Sequence, residues 1–93
     1  MNNSNSLKAT PDQQKEVKRL KSLLTREINQ CNEIIPDIKE CLNQSGYYLG
    51  DPAQPVLWRV TTLRDTAKIY RNRIEVDQSE GLLSKIKKFL VID

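Results

Sequence analysis

The sequence predicts an all-α fold: a long antiparallel helical hairpin, a shorter third amphipathic helix closing a small three-helix bundle, and a disordered N-terminal tail. Three observations carry that expectation. Apolar residues recur by threes and fours along two long stretches, the period of a helix with one buried face. Between them, Gly46, Gly50, Pro52 and Pro55 crowd into ten residues, where glycine admits positive φ and proline stops a helix arriving from upstream. Finally, three start signals of the capping type stand where helices would begin, at Thr10-Pro11-Asp12-Gln13, Asp51-Pro52-Ala53-Gln54 and Asp77-Gln78-Ser79-Glu80.

The tail is residues 1–9, rich in Asn and Ser and without periodicity. A single helical domain is expected over 10–93. The first helix, about 11–45, starts at the Thr10 cap, with Gln13 placed to close a capping box. Its apolar positions run Val17, Leu20, Leu23, Leu24, Ile28, Cys31, Ile34, Ile35, Ile38, Cys41 and Leu42. They fill an arc of roughly 140°, wider than the seam of a two-stranded coiled coil, so this helix needs more than one neighbour. Pro36 lies inside the pattern. Because the apolar stripe keeps its phase across it, a continuous helix kinked near Pro36 is expected rather than two helices and a loop.

The hinge is residues 46–51. Tyr47 and Tyr48 on it are expected either to fold back over the bundle end or to anchor a partner. The second helix, about 52–76, is capped by Asp51, with Gln54 able to reach back. Val56, Val60, Leu63, Ala67, Tyr70 and Ile74 form a heptad seam expected to pack on the first helix. Trp58, Ile69 and Val76 lie nearly opposite that seam. A helix apolar on two sides needs two partners. If the chain turns back at Asp77, the third helix, about 78–90, is placed to cover Ile69 and Val76 but is too short to reach Trp58. That third helix is cleanly amphipathic, with Leu82, Leu83, Ile86, Phe89 and Leu90 on one side and Ser84, Lys85, Lys87 and Lys88 on the other.

The Pro52 and Pro55 turn between two helices resembles that of the small helical-hairpin subunits of type III secretion needles and rods. The resemblance spans Asp51 to Pro55 and implies helical self-assembly as one alternative.

Composition limits the chemistry. At 93 residues with 38% hydrophobic side chains, the chain supports one modest core, and partners are expected to supply part of its stability. No run of apolar residues is long enough for a membrane span or a signal peptide, so cytoplasmic residence is expected. Cys31 and Cys41 lie in one helix with α-carbons about 15 Å apart, too far for a disulfide; both are expected to be free and at least partly buried. Histidine is absent. No metal site, cofactor site, general base or glycine-rich phosphate loop can be assembled from these residues, so no enzyme and no small-molecule substrate are expected.

Charge is unevenly placed. Between Asn29 and Trp58, Lys39 alone stands against Glu33, Asp37, Glu40 and Asp51, so the hinge end is acidic in a chain whose net charge is +3. The open end is therefore basic. The expected function is a non-enzymatic protein–protein interaction module, an adaptor, chaperone or assembly subunit, acting with a partner or as a homo-dimer. Its candidate contact residues are Trp58, Ile69, Val76, Tyr47, Tyr48, Leu83, Ile86 and Phe89. The alternative is a nucleic-acid-associated accessory protein, with Lys15, Lys18, Arg19, Lys68, Arg71, Arg73, Lys85 and Lys88 contacting an anionic partner. An anionic membrane surface met through the third helix is a further expectation.

Overall fold

The computed structural model describes residues 10–91, and the expectations for residues 1–9 and for the tip at Ile92 and Asp93 lie outside them. Its elements are α1 (Pro11–Ser45), α2 (Ala53–Ile74) and α3 (Glu80–Leu90). The α1 and α2 helices form the hairpin, and α3 packs on both of them.

The α1 start follows from its sequence. The Gln13 amide N–H donates to Thr10 Oγ1 at 3.1 Å, and the Thr10 amide N–H donates to Gln13 Oε1 at 3.0 Å, so two orphan donors are satisfied reciprocally. The helix then continues unbroken through Pro36. At its end, Gly46 takes φ 79° and Tyr47 φ 56°, and the Tyr47 amide donates back to the Leu42 carbonyl at 3.0 Å. That left-handed cap closes the orphan carbonyls and turns the chain.

Asp51 is buried, and it starts α2 from two residues upstream. Its Oδ1 accepts from the Ala53 amide at 2.9 Å, and its Oδ2 accepts from the Ser45 hydroxyl, tying the two ends of the hinge together. Pro55 sits in the first turn, where a missing N–H costs nothing. Gln54 does not reach back to Asp51; its side-chain amide points to the Tyr48 carbonyl at 3.5 Å. At the far end, Ser79 caps α3 by accepting from the Leu82 amide at 3.2 Å, so α3 begins two residues later than the sequence suggests.

The core has two parts. At the open end, Val17, Leu20, Leu24 and Ile28 of α1, Ala67 and Ile74 of α2, and Leu82, Leu83 and Ile86 of α3 form a three-helix cluster. Toward the hinge, a smaller cluster holds only Cys31, Ile35 and Val60, flanked by Ile38 and Leu57. The reason is length: α3, with 11 residues, spans about 16 Å, whereas α1, with 35, spans about 52 Å. The molecule is accordingly a rod, 64 × 21 × 18 Å.

The seam of α2 differs from its expected form. Val60, Ala67 and Ile74 are buried, but Val56 and Leu63 are 45% and 36% exposed. Partly buried Leu57, Arg64 and Arg71 share the α1-facing side instead. The Arg64 guanidinium reaches Asn32 Oδ1 at 3.5 Å and the Arg71 guanidinium reaches Thr25 Oγ1 at 3.4 Å. Their aliphatic stems do the covering while the charged heads stay hydrated.

Candidate interaction surface

Two pairs of edges flank the α1–α2 contact. On one side, Lys21 pairs with Glu75 at 2.5 Å, beside the Thr25–Arg71 and Asn32–Arg64 contacts. That edge is polar. On the other side α3 lies across Glu16, Leu23 and Glu27 of α1 and Tyr70 of α2. Lys87 Nζ is 3.1 Å from Glu16 Oε2, the Phe89 and Tyr70 rings meet edge to face at 5.3 Å, and Leu90 shares a shallow depression with Leu23, Glu27 and Gln30. Glu16 also pairs with Arg19 at 2.7 Å. Its hydrogen bond from Lys87, and then that from Arg19, hold its carboxyl below the usual glutamate range.

Past Leu90 the same side of the hairpin has no third helix among the described residues. Ile34 and Cys41 continue the α1 row of Leu23, Glu27 and Gln30 at helical spacing, and Leu63 and Val56 continue the α2 row of Tyr70 at seven-residue steps. All four are exposed or nearly so: Ile34 is 44%, Val56 45% and Leu63 36% exposed, and Cys41 is an exposed free thiol. The expectation of burial at Cys41 is corrected here. That residue lies at the margin of the apolar arc, on the row that α3 would have to be twice as long to cover. Cys31 is buried and free, and its Sγ lies 3.7 Å from Glu27 Oε2. Burial, reinforced by that carboxylate, pushes its thiol pKa up.

Among the described residues nothing covers the outer face of α2. Trp58 is 71%, Ile69 57% and Val76 87% exposed. The third helix turns back onto the Tyr70 side, not onto the Ile69 and Val76 side that was expected. Tyr70 and Phe89 supply the reason: their rings meet while Leu82, Leu83 and Ile86 fill the three-helix core. Leu83 and Ile86 are thus buried within the chain itself, and Phe89 is partly buried against the core. The hinge pair Tyr47 and Tyr48 is half exposed, and Leu49 between hinge and solvent is almost wholly exposed. They do not plug the bundle end.

The basic residues are divided rather than gathered. Arg19 is engaged with Glu16, Arg73 lies 3.9 Å from Asp77, and Arg71 reaches Thr25. Lys15, Lys18, Lys68, Lys85 and Lys88 make no ion pair among the described residues. Lys18 stands beside Lys21, Ser22 and Thr25, on the edge away from α3, whereas Lys15 stands beside Asp12, Glu16 and Arg19. Asp77 itself is held below the usual carboxylate range, first by the hydrogen bonds from Ser79.

Among the described residues no group of three or more His, Cys, Asp or Glu side chains could hold a metal ion, and no helix is long and apolar enough to cross a membrane. Comparison with protein-family models, with curated proteins and with solved structures finds no match.

Proposed function

We propose that this chain is a non-enzymatic protein–protein interaction module, a small helical adaptor, chaperone or assembly subunit. The observation that carries the reading is the outer face of α2, where Trp58, Ile69 and Val76 stand 71%, 57% and 87% exposed and no helix among the described residues covers them. Tryptophan is the side chain most enriched at interface hot spots, and a domain this small gains little by leaving one in water. Two free thiols, one of them exposed, suit a reducing compartment such as the cytoplasm.

The test replaces Trp58, and separately Asn29 as a control on another face, with a photo-crosslinking amino acid in the native cell. A discrete adduct from position 58 and none from position 29 is the expected result. With the crosslinking residue placed at position 69 instead, Trp58→Ala should abolish the capture, because truncating a hot-spot residue costs about 2 kcal/mol or more. Equal or absent crosslinking at positions 58 and 29 refutes the reading.

A further inference from the structure

We infer that the hinge half of the groove between α1 and α2, on the side that carries α3, is a docking site for a partner helix. The helix it fits is apolar along one face and rich in Lys or Arg along the flank that meets α1, and it lies end to end with α3. The inference rests on the interaction-module reading but uses a different surface from Trp58.

The core is the first argument. Three helices enclose the open-end cluster, and only two enclose the cluster of Cys31, Ile35 and Val60. Val91 follows Leu90 with φ 56°, a left-handed cap at which α3 stops. Beyond it the rows that α3 covers continue as Ile34 and Cys41 on α1 and as Leu63 and Val56 on α2. Hence the hinge half carries the lining of a three-helix bundle without its third member. From Gln30 to Ser45 the groove is about 22 Å long, room for about four helical turns.

Charge selects the occupant. The α1 flank of this half bears Glu33, Asp37 and Glu40, whereas Lys39 falls on the opposite edge in register with Thr25 and Asn32, and the α2 rim bears Arg59. A basic flank is therefore favoured on the α1 side and disfavoured on the α2 side. In the open half the same groove already holds a helix of this chemistry, α3, whose Lys87 pairs with Glu16 of α1 at 3.1 Å. A second copy does not supply such a helix, because the apolar face of its own α3 is consumed in its core: Leu82 is 4%, Leu83 3% and Ile86 0% exposed.

The experiment uses the full chain and a labelled synthetic peptide of residues 79–91, a helix whose fit to this type of groove is visible in the open half. Anisotropy should report binding, weakened about tenfold or more when the peptide carries Lys85→Glu, Lys87→Glu and Lys88→Glu, a loss of about 1.4 kcal/mol. Ile34→Lys in the chain should abolish binding with helicity unchanged, as Ile34 is already 44% exposed. Asp37→Lys, an exposed site, should reverse the preference between the two peptides. Bound peptide should also slow thiol labelling of Cys41 and leave Cys31 as it was. No binding, equal affinity for both peptides, or an unchanged Cys41 rate overturns the inference. So does a stable dimer in sedimentation that protects Cys41 and is dissolved by Ile34→Lys, since the occupant is then a second copy. Crosslinking at Trp58 alongside any of these failures leaves the interaction-module reading standing by itself.

Discussion

Among the described residues Asp51 is the one buried charged side chain, 5% exposed, and its two oxygens join segments on either side of the hinge. One receives the Ser45 hydroxyl at the end of α1; the other receives the Ala53 amide at the start of α2. Removing the carboxylate leaves the Ala53 amide without its acceptor and the Ser45 hydroxyl with only the Leu42 carbonyl, 3.1 Å away. Asp51→Ala should lower stability by about 1–2 kcal/mol in denaturant unfolding, and Asp51→Asn by less, because the amide oxygen can still accept from Ala53. An unchanged midpoint for Asp51→Ala would show that water replaces the carboxylate at no cost. Contacts of this range were legible in the sequence, since Thr10 with Gln13 and Asp51 with Ala53 depend only on neighbours a few positions apart. Cys41 was not legible. Whether a residue at the margin of an apolar arc is covered depends on where a helix some forty residues later comes to an end, which no local pattern encodes.

At the scale of elements, α3 is held by apolar burial and steered by charge. Leu82, Leu83 and Ile86 supply the first, and the pairing of Lys87 with Glu16 supplies the second. The folded state lowers the Glu16 pKa, so this pairing contributes fully above the usual glutamate range and is lost as pH falls through the lowered folded-state value. Glu16→Gln should remove on the order of 0.5–1 kcal/mol at neutral pH, as befits a pair near the surface, and nothing in strong acid. Parallel thermal melts of parent and variant from neutral to acidic pH should converge, and a constant gap across that range would assign the effect to packing. The element boundaries were read from caps and came within two residues. The direction in which α3 folds back was not, because Tyr70 counted only as a seam residue, Arg71 only as a charge, and Arg64 not at all. In the structure the Arg stems rotate the seam toward themselves, and the Phe89 ring takes the side that this leaves open.

Over the whole molecule the rod is asymmetric in thickness and in charge. The basic excess and the three-helix cluster share the open end; the acidic residues and the two-helix cluster share the hinge end. The charge asymmetry was legible from the order of charges along the chain, and the short reach of α3 from its length, whereas the side on which α3 packs was not. Thickness has a dynamic counterpart. Regions with fewer buried contacts open at lower free energy than the cores they adjoin, so amide hydrogen exchange should be graded along both long helices. The amides of Ile38 and Val60 should exchange well before those of Leu24 and Ala67, although all four lie in unbroken helix. Uniform protection would mean that the hairpin opens only as a unit. With the expected gradient, the hinge end becomes a frayed terminus in the middle of the chain, stiff at neither strand until something is laid beside it, while the opposite end stays annealed.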